Sequence, residues 1–181
     1  MKKLKSILFL TAALFIFSSC EEKKEATEDA GEKMKFESRE SITRKAEQEV
    51  VSKLMKSYKN ALENLTTEGT FKLFSDSSEV YESGGVEGTY KEYIDQHLGP
   101  ELGHFESFKY SDYKLDVNVD LPYAFTTETY VYTIIFNEEE EEGEQRKIQK
   151  KGVATSILKR NEDTWKIIKT HSSSRNYNPK Q

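Results

Sequence analysis

Apolar residues recur at helical spacing in the first part of the chain. Over 44–65 they fall on one face of an amphipathic helix of about five turns. The stretch 70–76 predicts a short second helix, and 79–85 predicts a brief strand that a glycine pair closes. The stretch 88–100 returns to helical spacing and should end at its Gly-Pro pair.

After Pro100 the pattern changes to alternation, which is typical of half-buried strands. Four strands are predicted, at Tyr113–Val119, Tyr123–Phe136, Lys147–Lys159 and Trp165–Arg175. The second of these is apolar on both faces, so we expect it to be central or covered on both sides. Helices followed by a four-stranded antiparallel meander indicate a segregated α+β domain.

The first twenty residues have the pattern of an export signal. Lysines precede an apolar run, Ile7–Phe17, that is shorter than the roughly 20 residues a membrane-spanning helix needs. The quartet that ends at Cys20 resembles the bacterial lipoprotein box, in which the cysteine is acylated and becomes the new N-terminus. We therefore expect a signal peptide over 1–19 and lipidation of Cys20. The alternative is an ordinary secretory signal with an incidental cysteine.

Lipidation of Cys20 predicts a protein of the bacterial cell envelope, tethered to a membrane that we take to be the outer membrane. Its domain would then face the periplasm or lie on the cell surface. The segment 20–45 is charged and without sustained periodicity, which predicts a disordered linker after the lipidated cysteine. The folded domain should span 46–177, with a short tail over 178–181.

Composition and motifs exclude several function classes. The formal net charge is −5 and basic residues are scattered among acids, which argues against nucleic-acid binding. The single cysteine excludes an intramolecular disulfide and metal motifs built on paired thiolates. The acidic run Glu138–Glu142 lacks the spaced ligands of a calcium site and is interpreted as a solvated loop. We expect neither a metal nor another cofactor.

The order of elements resembles the nuclear transport factor two-like superfamily, and most closely its SnoaL-like branch. The resemblance covers about Ala46 to Arg175 and is carried by five segments, SYKNAL, LFSD, YESGGVEG, EYIDQHL and WKIIKTHSS. It implies a cone in which a curved antiparallel sheet wraps the N-terminal helices and leaves a pocket at its wide end. Many relatives pair sheet to sheet as dimers. Their activities range from isomerases, cyclases and dehydratases to binding modules, so the fold does not select a function.

The last predicted strand contains a histidine that is a candidate for the pocket. Strict alternation puts His171 and Ser173 on the same face as Trp165 and Ile167. If that face is concave, the imidazole points into the pocket, where it would suit a general base or a hydrogen-bond donor. The alternative is a structural histidine bonded to a neighbouring group. The serines that follow it form no recognisable catalytic triad.

Further candidates come from the strand and helix that border the pocket in the resembling proteins. Glu82 and Glu87 flank the glycine pair, and Tyr93 shares a helical face with His97. Together with His171, these side chains would form a polar cluster at the pocket. Two histidines and a carboxylate are a conceivable metal set, but no local motif supports one.

Two functions remain open at this point. The first is a lipid-anchored envelope protein that binds a small, partly apolar ligand in its pocket, or a protein partner, without turnover. The second is a small-molecule isomerase, cyclase or dehydratase that uses His171 with Glu82 or His97 as acid and base. A homodimer through the sheet is compatible with both.

Overall fold

The computed structural model describes residues 22–139, 143 and 145–179 of the 181-residue chain. The predicted signal peptide, 1–19, and the predicted lipidation site, Cys20, lie outside the described residues. The chain divides after Glu40 into two units, and the second unit, Ser41–Gln181, contains the six described strands. Within the described part, no helix combines the length and the hydropathy needed to cross a membrane.

The first helix, α1, spans Glu22–Glu63 and is longer than the sequence predicts. Its buried residues, Val51, Met55 and Leu62, lie within the stretch of helical periodicity. The preceding segment, predicted as a disordered linker, is helical from Glu22 onward. That segment is rich in Glu, Lys and Ala, which favour helix, and extending an existing helix requires no new nucleus. A charged segment can therefore be helical by continuation, without an apolar face to reveal it.

Six strands form one mixed, curved sheet in the order β2-β1-β6-β5-β4-β3. β1 and β6 are parallel, and every other neighbouring pair is antiparallel. The strands are β1 Phe74–Glu82, β2 Gly85–Gly88, β3 Phe105–Asp120, β4 Tyr123–Glu139, β5 Gln145–Asn161 and β6 Thr164–Asn176. The predicted α+β class, with helices packed on a curved sheet, is confirmed. The sheet is mixed and not wholly antiparallel as expected, because β1 runs parallel to β6.

The segment before the sheet differs from its prediction. Only a 3₁₀ turn, Phe71–Leu73, is helical in the stretch 70–76, and β1 begins directly after it. Phe74 is buried and pairs with Ile167 of β6, so a tertiary contact overrides the local helical spacing. The hairpin strand β2 was not predicted because its four residues, with glycine at both ends, carry no alternation.

A second helical stretch runs from Tyr90 to Leu102. It consists of α2 at Tyr90–Tyr93, a π-helical turn at Ile94–Leu98 and α3 at Gly99–Leu102. Thr89 begins it with a capping box, in which its hydroxyl accepts from the Glu92 amide and the Glu92 carboxylate accepts from the Thr89 amide. The predicted end at Gly99-Pro100 is wrong, because proline is tolerated in the first turn of α3.

The second predicted long strand, β4, lies between β3 and β5 and is therefore central in the sheet. Its inward residues Ala124 and Ile134 are buried against the helices. Its outward residues Tyr123 and Phe125 are 38% and 46% exposed, so this end of the strand is covered on one face only. Trp165 anchors α1 to the sheet because its indole N–H donates to a Glu47 carboxylate oxygen at 2.7 Å.

Candidate functional site

A cavity of about 140 Å³ lies among α1, the second helical stretch and the inner face of the sheet. Its walls combine aromatic rings with carboxyl groups and hydroxyls. The tyrosines are Tyr58, Tyr81, Tyr93, Tyr110, Tyr130 and Tyr132, and the carboxyl groups belong to Glu82, Glu101 and Glu128. Concave pockets that combine an apolar wall with a few convergent polar groups typically bind small molecules.

Glu128 is the most enclosed carboxyl group of the cavity. It lies on the inward face of β4 and is only 8% exposed. The Tyr113 hydroxyl donates to its Oε1 at 2.5 Å. Burial raises the pKa of Glu128, and the bond from Tyr113 offsets only part of that increase. Glu128 is therefore poised to exchange a proton closer to neutral pH than an exposed glutamate.

A β-bulge in β3 places two tyrosines behind this carboxyl group. The register shifts between Ser111 and Lys114, and Asp112 has a positive φ of 51°. The extra residue lets both Tyr110 and Tyr113 face inward, although they are three positions apart. Their ring centroids lie 6.1 Å from each other.

Glu82 ends β1 on the opposite side of the cavity from β3 in the sheet order. Its Oε2 accepts a hydrogen bond of 2.6 Å from the hydroxyl of Tyr93. Tyr93 is buried, and burial is the main cause of its raised pKa, which the neighbouring Tyr58 and the Glu82 carboxylate raise further. The phenol therefore stays protonated and acts as a donor to Glu82.

The phenols of Tyr58 and Tyr130 are kept neutral by the same two causes. Burial raises the pKa of Tyr58 and Tyr130, and the carboxyl groups of Glu82 and Glu128 raise it further in both. Because the two carboxyl groups act on the same two tyrosines, they share one electrostatic environment. The cavity therefore presents neutral hydroxyl donors next to acidic acceptors.

One glycine makes room for the cavity wall. Gly152 of β5 pairs with Tyr130 of β4, and the Tyr130 ring lies across the glycine backbone. A Cβ at Gly152 would overlap carbon atoms of that ring. The sequence therefore needs glycine here for a close approach of an aromatic ring.

A second polar group lies beside the cavity and is centred on His97. Its Nδ1 lies 2.9 Å from Glu87 Oε2, and its Nε2 lies 3.4 Å from Glu101 Oε1. The hydrogen bond with Glu87 raises the pKa of His97. Of these three residues only Glu101 borders the cavity. We call Glu87, His97 and Glu101 the rim cluster.

His171 does not reach the cavity, contrary to the sequence-based expectation. Ile157 pairs with Lys169 while Leu158 pairs with Ile167, so Ile168 is an extra residue in β6. This bulge reverses the alternation, since inward residues before it have one parity and those after it have the other. Thr170, Ser172 and Ser174 therefore face the cavity, and His171 is exposed on the outer face.

The predicted site residues are thus divided among three places. Glu82 and Tyr93 are bonded to each other at the cavity, and Ser173, although exposed, also borders it. Glu87 and His97 lie in the rim cluster, and His171 lies on the opposite face of the sheet. Among the described residues, no group of three or more His, Cys, Asp or Glu side chains is arranged to hold a metal ion.

Glu128 is the functional candidate that the sequence analysis missed. The sequence does contain one indication of it: Glu128 is a single acid among the inward positions of β4, between Thr126 and Tyr130. A charged residue on the buried face of a central strand is uncommon unless it has a partner or a role. Tyr113 was assigned to a strand, but its pairing with Glu128 depends on the bulge at Asp112.

No protein-family model matches the sequence, and a comparison with curated proteins gives no significant match. Solved structures do match. A nuclear transport factor 2-like superfamily protein from Salmonella enterica is 14% identical and aligns over 72% of this chain and 92% of its own, with a TM-score of 0.58.

Two further solved structures have names that state a chemistry. A proposed dehydratase of the same family from Streptomyces avermitilis is 18% identical, with a TM-score of 0.59 over 73% of this chain and 97% of its own. The type-3 hexachlorocyclohexane dehydrochlorinase of Novosphingobium barchaimii is 16% identical, with a TM-score of 0.59 over 77% of this chain and 93% of its own. At such identities the likeness concerns architecture alone. This chain has the nuclear transport factor two-like fold.

Proposed function

We propose that this protein is a lipid-anchored component of the bacterial cell envelope whose SnoaL-like domain binds a small, partly apolar molecule. The observation that carries the proposal is the cavity itself, in which tyrosine rings, Glu82 and Glu128 converge. The fold is compatible with small-molecule binding, and the names of two structural neighbours refer to small-molecule enzymes.

The size of the cavity limits the ligand. An apolar cavity of roughly 150 Å³ accepts a benzene molecule, and this one measures about 140 Å³. A compound with one ring, or an aliphatic group of similar bulk, is therefore the expected occupant. The neutral phenols and the carboxyl groups would orient its polar end.

The membrane anchor is supported by the sequence around Cys20. Metabolic labelling with a radioactive fatty acid tests it directly. The wild-type chain should incorporate label and partition with membranes, whereas Cys20→Ser should do neither. Label on the Cys20→Ser chain would contradict the anchor site, and an unlabelled wild-type chain would contradict lipidation.

Ligand binding can be tested on the full chain carrying Cys20→Ser, with a panel of single-ring compounds in a thermal-shift assay followed by calorimetry. Ser172→Leu places a larger side chain into the cavity and should abolish binding. Thr155→Leu makes a comparable change at an exposed position of β5 and should leave binding intact. Equal binding by both variants would contradict the cavity as the site.

A second candidate function is acid-base catalysis, and one observation favours it. Glu128, whose pKa is raised, and Glu82, which accepts from Tyr93, border one cavity beside neutral phenols. Carboxyl groups in different environments are a common arrangement for an acid and a base. The pairing of His171 with Glu82 is not formed, so these two carboxyl groups take its place in the isomerase, cyclase or dehydratase hypothesis.

Turnover separates the two candidates. Any compound that binds should be incubated with the protein and analysed for conversion by mass spectrometry and NMR. Conversion that stops in Glu82→Gln while binding persists would establish catalysis and contradict the binding-only proposal. Unchanged compound recovered from tightly binding protein supports the binding role.

The homodimer through the sheet is also a proposal. Its support is the exposure of Tyr123, Phe125 and Val153 on the outer face of neighbouring strands. Analytical ultracentrifugation of the wild-type chain and of Phe125→Lys tests it. A dimer that dissociates in the variant supports the proposal, and a wild-type monomer contradicts it.

A further inference from the structure

The cavity has an excess of acidic groups. Its described lining contains three carboxyl groups, those of Glu82, Glu101 and Glu128, and one ammonium group, that of Lys59. Lys59 is already paired, because its Nζ lies 2.6 Å from Glu63 Oε2. It also lies over the rings of Tyr110 and Tyr113, at 5.3 and 5.4 Å from their centroids. Glu101 is paired too, since its Oε1 lies 3.4 Å from His97 Nε2, so the unbalanced carboxyl groups are those of Glu82 and Glu128.

The two inner carboxyl groups, those of Glu82 and Glu128, can each accept further hydrogen bonds. The hydrogen bond from Tyr113 uses Oε1 of Glu128, and the bond from Tyr93 uses Oε2 of Glu82. Within the described part of the chain, the other oxygen of each group has no hydrogen-bond partner. Glu128 is more than nine-tenths buried and its hydrogen-bond partner, the Tyr113 hydroxyl, is neutral, so no charge balances its carboxylate form.

Burial is the main cause of the raised pKa of Glu128, and no cation of the described chain counters it. A bound positive group would supply the missing charge. The aromatic walls suit the same group, since the face of a tyrosine ring attracts ammonium ions. An anionic ligand, by contrast, would meet like charge in an enclosed space.

We propose that the cavity selects a small organic cation, namely an ammonium group carried on one ring or on an apolar group of similar bulk. This inference rests on the proposed ligand-binding function and adds the charge of the ligand to it. The ammonium group is attracted by both inner carboxyl groups and donates to a free oxygen of Glu82 or Glu128, while the apolar part of the ligand lies among lining side chains such as Phe108 and Ile134.

Three probes of the same shape and different charge test the inference. They are benzylamine, benzyl alcohol and benzoate, each titrated at neutral pH into the full chain carrying Cys20→Ser. Benzylamine should bind about tenfold more tightly than benzyl alcohol, because a desolvated cation-π contact and a charged hydrogen bond add to the shared ring contact. Benzoate should bind more weakly than either.

Matched variants connect the preference to the cavity. Glu128→Gln and Glu82→Gln should each weaken benzylamine about tenfold and change benzyl alcohol by less than about twofold. Glu79→Gln removes the same charge from the outer face, where Glu79 pairs with Lys169 at 2.6 Å, and should change neither. If Glu79→Gln weakened benzylamine as much as Glu128→Gln did, the preference would reflect net charge and the inference would be wrong.

The possible failures are distinct. Benzyl alcohol bound as tightly as benzylamine overturns the cation inference and leaves the ligand-binding function standing. If benzylamine does not bind while neutral compounds of the panel do, the consequence is the same. No binding of any single-ring compound overturns both proposals.

Discussion

The cavity interior and the rim cluster both contain carboxyl groups, but in the described part of the chain only those of the rim cluster are paired with a cationic side chain. Glu87 and Glu101 flank His97, whose pKa is raised by its bond with Glu87. Glu82 and Glu128 have only neutral tyrosines as hydrogen-bond partners in the described structure. The rim therefore has the arrangement of a structural ion pair, whereas the interior retains an unbalanced charge.

This difference indicates which group serves function. A buried carboxyl group without a cation lowers stability, and such costs concentrate where binding or catalysis needs them. The rim cluster, partly exposed and internally paired, stabilises the second helical stretch instead. Substitutions should therefore separate the two regions by the sign of their effect on stability and by their effect on ligands.

The largest expected effect comes from disturbing the interior wall. Gly152→Ala should lower the free energy of unfolding by about 2 kcal/mol, because its Cβ overlaps the Tyr130 ring and the overpacked ring must move. Chemical denaturation followed by circular dichroism measures the change. The same variant should lose ligand binding, since Tyr130 borders the cavity.

Gly103→Ala is the control for that substitution. A Cβ at Gly103 would approach only the carbonyl oxygen of Pro100, at 3.3 Å, and would meet no side chain of the cavity wall. Its stability should change by less than about 0.5 kcal/mol, as expected for a surface substitution. Equal losses in the two variants would show that the Tyr130 contact is not the cause.

Removing the interior charge should stabilise the protein above acidic pH. The pKa of Glu128 is raised in the folded state, so the stability linked to this group is present below its unfolded value of about 4.3. That stability is lost as the pH rises through the pKa of Glu128 in the folded state. Glu128→Gln keeps an acceptor for Tyr113 and avoids the loss, so it should gain about 1 kcal/mol at pH 8 and almost nothing at pH 4.

Denaturant titrations of both proteins at the two pH values check this prediction. Glu106→Gln, an exposed position outside the cavity lining, is the matched control and should show no comparable gain. A Glu128→Gln variant less stable than wild type at pH 8 would mean that the buried carboxylate has a stabilising partner.

The rim cluster should respond to pH in the same direction but more weakly, and removing its histidine should destabilise the protein where removing the Glu128 charge stabilises it. The folded pKa of His97 is raised above its unfolded value of about 6.5, so its stabilising contribution is full below that value. It is lost as the pH rises through the folded value. His97→Gln should therefore cost about 0.5 kcal/mol at pH 6 and nothing measurable at pH 8.5, and ligand binding should persist.

Thermal unfolding at the two pH values measures that difference. The control is His104→Gln, because His104 is 65% exposed and lies 3.9 Å from Glu138. A loss at pH 8.5 as large as at pH 6 would show that His97 acts through packing on Tyr93 rather than through its charge.

The architecture could be predicted from the sequence because it depends on periodicity. The helical face of α1 and the four long strands follow from apolar spacing, which packing then uses directly. The helical continuation from Glu22 to Lys45 could not be predicted, because no apolar face marks it.

The site was predicted less well, and two bulges explain most of the loss. Alternation assigns faces correctly only while each strand residue opposes one partner. The extra residues at Asp112 and Ile168 reverse the parity of β3 and β6, and the local sequence around them carries no glycine or proline to indicate it. The bulge in β3 places Tyr113 against Glu128, and the bulge in β6 turns His171 outward.

The smallest expected effect therefore falls on the histidine that the sequence favoured. His171→Ala should change the free energy of unfolding by less than about 0.5 kcal/mol, because an exposed side chain on the outer face contributes little packing. Ligand affinity and any turnover should stay at the wild-type level. Ser172, its neighbour, faces the cavity, so Ser172→Leu should block binding. A calorimetric titration of both variants with one ligand compares the two faces of β6 directly. If His171→Ala weakened binding while Ser172→Leu did not, the parity change at Ile168 would be wrong, and His171 would return to the pocket.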